Sequence, residues 1–181
     1  MTVYRRLRVP GGTFFFTVNL YDRRSQLLTD NISVLRDAVR KVHAKAPFQI
    51  DAWAVLPDHL HAVWTLPVND MNYSARWQAI KTEFSKQIPP GEFRSASRES
   101  KGERGIWQRR FWEHTIRDGK DCAAHVDYVH FNPVKHGWVN CVADWPYSSF
   151  HKALAAGFYP EDWAGGGLAL NDIRDIPGGE R

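Results

Sequence analysis

Residues 48–67 read FQIDAWAVLPDHLHAVWTLP. The stretch is apolar and β-prone on both sides of Pro57-Asp58, and that dipeptide breaks it into two strands joined by a tight turn. Upstream, Phe14 to Leu20 (FFFTVNL) follows Gly11-Gly12 and reads as a first strand. Asp30 or Asn31 can then cap a helix, in which Ile32, Leu35, Val39 and Val42 recur at three- and four-residue spacing and share one face. Downstream, a second helix is expected from about Tyr73 to Gln87, with Trp77, Ile80 and Phe84 inward. Pro89-Pro90-Gly91 ends it, and the polar, aperiodic stretch to Gly105 (GEFRSASRESKGERG) reads as a mobile loop. A fourth strand is expected over Ile106–Arg117, then a helix from about Lys120 to Asn132. Pro133 should end that helix, because its ring cannot occupy the interior of a continuing one. A last helical segment runs from about Pro146 to Ala156.

The order strand, helix, two strands, helix, strand is the split βαβ pattern of a ferredoxin-like fold. The expected fold class is therefore α+β: an antiparallel sheet with two helices on one face, the other face left for a ligand, and a helix towards the C-terminus. One domain over residues 1–156 and a short, acidic, Gly-rich tail over 157–181 account for the chain. The tail carries five acids against two arginines, so it is net −3 and the preceding residues carry +7 of an overall +4. Aromatic residues reach 13%. A basic, ring-rich body suits a nucleic-acid partner, where cations meet phosphates and rings stack on bases.

The composition also excludes several classes. With 43% apolar and 24% charged residues the 181-residue chain has globular rather than disordered character. Cys122 and Cys141 cannot form a disulfide framework or a four-cysteine zinc site. No apolar run approaches the ~18 residues that span a bilayer. The start, MTVYRRLRVPGG, lacks the apolar core of a secretory signal. A soluble, cytoplasmic protein is expected.

Two groups of residues carry chemistry. His59-Leu60-His61 sits on a strand, where residues two apart project to the same side ~6.5–7 Å apart and can converge on one metal ion. Leu60 would then point into the helix-covered core. The second group is DYVHFNPVKHG, residues 127–137, in which Tyr128 and Asn132 are four apart and share a helical face. Each feature has a plainer reading: a surface His pair without a ligand, a packed aromatic, an Asn that terminates a helix. Together they are coherent. Two neutral imidazoles and an amide oxygen form an incomplete donor set that leaves coordination positions for phosphate oxygens, as Mg²⁺ or Mn²⁺ requires in a nuclease. Tyr128 would attack phosphorus in line and give a 5′-phosphotyrosine.

The blocks YRRLRVPGGTFFFTVNLYDR, WAVLPDHLHAVWTLP, RWQAIKTEFS, WQRRFWEH, DYVHFNPVKHGWV and DWPYSSF resemble, in this order over residues 4–151, the REP-associated tyrosine transposases. That family is related to the single-tyrosine insertion-sequence transposases of the His-hydrophobic-His endonuclease superfamily. The resemblance implies a metal site at His59, His61 and Asn132, with Tyr128 as the nucleophile on the C-terminal helix. It also implies a single-stranded DNA substrate bearing a repetitive extragenic palindrome hairpin. A monomer is expected over a homodimer. For DNA contact Arg109 and Arg110, lying between Trp107 and Phe111-Trp112, are favoured, with Arg5, Arg6 and Lys135 as further candidates. Two alternatives stay open: a non-catalytic ferredoxin-like module that binds hairpin DNA or RNA, and a relaxase or replication-initiator nickase.

Overall fold

Side chains alternate across a strand, so a strand buried on both sides must be apolar or internally bonded at every position. FFFTVNL meets that condition. In β1 (Thr13–Asn19), Phe14, Phe16 and Val18 enter one core while Phe15 faces another. The computed structural model of the chain describes residues 8–165. β1 is central in a four-stranded sheet with β2 (Gln49–Val55), β3 (His59–Thr65) and β4 (Trp112–Thr115), in the order β2-β3-β1-β4. All neighbours are antiparallel, and β1 pairs with β3 from Thr13↔Thr65 to Asn19↔His59. This is the ferredoxin-like arrangement.

On the first face lie α2 (Ile32–Lys45) and α3 (Tyr73–Gln87), preceded by the single turn α1 (Leu27–Asp30). Leu35, Val39 and Val42 of α2 and Trp77, Ile80 and Phe84 of α3 meet Phe16, Leu60 and Trp64 there. Trp64 and Trp77 stack with centroids 4.1 Å apart. The second face is not open, in contrast to the expectation from the sequence. The helix α5 (Gly119–Lys135) lies across it, and Tyr128, Val129 and Phe131 pack on Phe15, Ala52, Ala54 and Val63. The short α6 (Phe150–Ala155) adds Phe150 to the same core.

Pro133 does not end α5. It sits inside the last turn, where it forgoes one hydrogen bond, and the helix runs on to Lys135. The stop comes at Gly137, whose φ of +71° favours glycine. Its N–H donates to Val134 and that of Trp138 to Pro133, the paired bonds that close a helix end.

The fourth strand is shorter than expected, four residues, with an isolated bridge from Trp107 to Leu20 ahead of it. The stretch read as a mobile loop is folded back. It contains the turn α4 (Ala96–Glu99), and Arg104 donates to Glu92 and to the carbonyls of Ser85 and Ile88. Buried Arg98 donates to the carbonyls of Arg104 and Trp107. Guanidinium bonds to carbonyl groups left a polar sequence with no hydrophobic period to read. Among the described residues, no helix is long and apolar enough to cross a membrane.

Candidate functional site

β3 turns Leu60 into the α2/α3 core and therefore turns His59 and His61 towards α5. Both imidazoles are buried, and their rings lie 5.0 Å apart. Each is held through Nδ1. Asp58 Oδ1 accepts from His59 Nδ1 at 2.7 Å, and Thr17 Oγ1 lies 2.9 Å from His61 Nδ1. Arg23 in turn donates to Asp58 and Asn19. Burial pulls the His59 imidazole below its ordinary value, against the opposing pull of Asp58, so the ring is neutral and its other nitrogen can act as a donor to a metal. Burial also pushes Asp58 upward, but the bonds to His59 and Arg23 outweigh it and the carboxyl stays ionised.

α5 supplies the opposite wall. Asp118 caps it by accepting from the Asp121 N–H. Tyr128, Asn132 and His136 follow at four-residue steps and so line one stripe. At one end the Tyr128 ring lies 5.3 Å from that of His61, and at the other the His136 ring lies 5.1 Å from that of His59. Asn132, fully buried, falls between them. Phe15 anchors the assembly, with ring contacts to His61 and Tyr128. Lys135 Nζ donates to Tyr128 Oη at 3.0 Å.

His59 Nε2 and both amide atoms of Asn132 are buried without a hydrogen-bond partner among the described residues. Leaving such atoms unpaired costs about 1–3 kcal/mol each. Neutral nitrogen and amide donors gathered in one buried place fit a divalent cation.

The DNA-contact candidates divide. Trp107 does not offer a ring for stacking: it is 6% exposed and packs edge-on against Phe84, with Lys81 over its face. Its bridge to Leu20 draws it into the core. Arg109 is exposed and paired with Glu103, on the rim of a groove of about 800 Å³ that includes Lys81, Lys86 and Phe111 on the α3 side of the sheet. Arg110 is exposed. Arg5 and Arg6 lie outside the described residues.

A second polar group was not singled out in the sequence. His114, Asp121 and His125 bring ligand-type atoms within 4.8 Å of one another, near enough to hold a metal ion. Asp121 accepts from His114 and from the Arg117 backbone, and lies 3.1 Å from His125 Nδ1. The two rings stack nearly parallel at 4.5 Å, so the group already ties β4 to the start of α5. His130 bonds Ser149 and contacts Phe150, a packing role. Glu113 is buried on the α3 side rather than at the surface.

No family model matches the chain. A REP-associated tyrosine transposase of Escherichia coli (strain K12) is 50% identical to it over 181 residues, covering all of this chain and 98% of that protein. The chain belongs to the REP-associated tyrosine transposases. A putative REP-associated tyrosine transposase of Haemophilus influenzae is 50% identical over 167 residues, 91% of this chain and 94% of the relative. A solved structure of a REP-associated tyrosine transposase bound to a REP hairpin superposes with a TM-score of 0.83 at 50% identity, over 100% of this chain and 98% of that one. Three of the blocks that resemble REP-associated tyrosine transposases have clear places in the fold. WAVLPDHLHAVWTLP is the β2–β3 hairpin, and DYVHFNPVKHGWV is the tyrosine helix with its glycine stop. DWPYSSF seals the outer edge of β2 through bonds of Tyr147 and Ser149 to Val55 and Trp53.

Proposed function

We propose that this chain cuts and rejoins single-stranded DNA at REP hairpins through a 5′-phosphotyrosine on Tyr128. His59, His61 and Asn132 hold Mg²⁺ or Mn²⁺ beside it. One observation carries the reading: a buried tyrosine packs against the second histidine of a His-Leu-His pair, where His59 Nε2 and the Asn132 amide have no hydrogen-bond partner among the described residues. The hairpin as substrate follows from the relative solved with a REP hairpin. The protein acts in the cytoplasm on bacterial DNA, as a monomer, with Arg109, Arg110, Arg5 and Arg6 meeting phosphates.

The bound cation would polarise the scissile phosphate and offset the charge that gathers on its oxygens. The residues do the rest. Tyr128 Oη forms a bond to phosphorus in line with the departing 3′ oxygen, which takes up a proton and becomes a free 3′-hydroxyl. Asp58 and Thr17 hold the two imidazoles in one ring orientation. The sheet on one side and α5 on the other keep the pair out of water. Because a phosphodiester replaces a phosphodiester, a 3′-hydroxyl can reverse the step and rejoin strands.

Single-stranded oligonucleotides carrying a palindromic repeat and its flanks provide the test, with wild type, Tyr128→Phe and His61→Ala, in Mg²⁺, Mn²⁺ or EDTA. Metal-dependent cutting with a covalent protein–DNA band should appear for wild type alone. Binding of the hairpin without cutting under every metal would make the chain a non-catalytic hairpin-binding module.

A further inference from the structure

We propose that Lys135 is a catalytic residue of the tyrosine chemistry: its ammonium positions Tyr128 Oη and carries the charge that gathers on that oxygen as the phosphotyrosine bond forms and breaks. The inference rests on Tyr128 being the nucleophile. Lys135 stands two helical turns after Tyr128, on nearly the same stripe of α5. Its Nζ is 3.0 Å from Oη and 4.7 Å from the centre of the ring. Lys135 is exposed whereas the Tyr128 ring is buried, so the ammonium covers the hydroxyl from the solvent side. An exposed lysine surrenders about 2 kcal/mol of side-chain freedom when held in one place. The bond to Oη and the contact with the ring face offset that loss.

An ammonium has three donors and no acceptor, so Lys135 cannot take the tyrosine proton. Its contribution is charge. In the cut, the Oη–P bond forms and the P–O3′ bond breaks; the phenolic proton is released and the 3′ oxygen gains one. In the rejoining, O3′–P forms and Oη–P breaks, and Oη departs with the bonding pair before it is reprotonated. Lys135 keeps its proton throughout and faces Oη whenever that oxygen is electron-rich. A fixed donor aimed at a developing anion stabilises the transition state more than the ground state.

The helix end sets this geometry. Because α5 continues through Pro133 to Lys135 and is closed only at Gly137, Lys135 lies on a helical face rather than in a loop. A phosphate-contact role, the plain expectation for this lysine, predicts something different: weaker DNA binding with an unchanged rate once DNA is bound.

The test compares wild type, Lys135→Met and Lys135→Arg on a hairpin oligonucleotide in Mn²⁺. Cutting and rejoining are followed in single turnovers at saturating protein, and affinity is measured in the Tyr128→Phe background. Lys135→Met should slow both reactions on the order of 10- to 100-fold while affinity changes less than about threefold, and Lys135→Arg should recover most of the rate. Placing 3-fluorotyrosine at position 128, a better leaving group in the rejoining, should speed rejoining by Lys135→Met more than it speeds rejoining by wild type. A normal saturated rate with weakened affinity overturns the proposal in favour of a phosphate contact, and unchanged rate and affinity overturn it outright. If wild type fails to cut, or Tyr128→Phe still cuts, the nucleophile assignment itself falls and this inference with it.

Discussion

Asp58 shows how much of this site depends on residues outside the proposed metal ligands and nucleophile. It is the turn residue between β2 and β3, and its carboxylate accepts from His59 Nδ1 while Arg23 anchors it from behind. Without that acceptor the imidazole can flip or present its proton on the wrong nitrogen. Asp58→Asn should therefore weaken Mn²⁺ binding about 10- to 100-fold, measured by calorimetric titration, with little change in the circular dichroism spectrum. Affinity equal to wild type would mean that burial alone orients the ring. Asp58 was legible in the sequence only as turn chemistry, because a side chain that bonds its neighbour and a distant Arg23 leaves no periodic signature. His136 was legible as a basic residue, and its ring contact with His59 followed only from the true end of α5.

At the scale of elements, α5 carries most of what was missed. Pro133 is the stop expected from the sequence, but the helix ends at Gly137 instead. A proline in the last turn removes one hydrogen bond, whereas a glycine at positive φ builds the bonds that close the end. Helix α3, by contrast, matches its expected span, because Trp77, Ile80 and Phe84 give an unbroken helical period. The start of α5 depends on Asp121. Burial works to raise its carboxyl, but the bonds from His114 and Arg117 prevail and hold it at about 2. A carboxyl held lower when folded than the ~3.9 of an unfolded chain adds stability that is complete above pH ~4 and is lost as pH falls towards ~2. Asp121→Asn should cost about 2 kcal/mol in urea unfolding at pH 7. The gap from wild type should narrow between pH ~4 and ~2; a gap independent of pH would show that the carboxylate charge is not what ties β4 to α5.

Across the whole molecule, two cores share one sheet and divide the labour. The α2/α3 side is built around the packed rings of Trp64, Trp77 and Phe16, while the α5 side mixes packing with His59, His61, Tyr128 and Asn132. The strand order was legible because short apolar, β-prone runs, a Pro-Asp turn and the order of strands and helices are local signals. That α5 closes over the second face was not, since a sheet that buries both faces shows the same continuous apolar run whatever lies on each. The covering helix brings a tyrosine to a histidine pair some seventy residues earlier in the chain, and on that meeting the proposed function rests. The most direct test is peptide mapping by mass spectrometry of the covalent complex formed with a hairpin oligonucleotide in Mn²⁺. A nucleotide phosphate carried by the peptide that contains Tyr128, and by no other, is the predicted result. An adduct on a different residue, or a cut strand with a free 5′-phosphate and no adduct, would contradict the account.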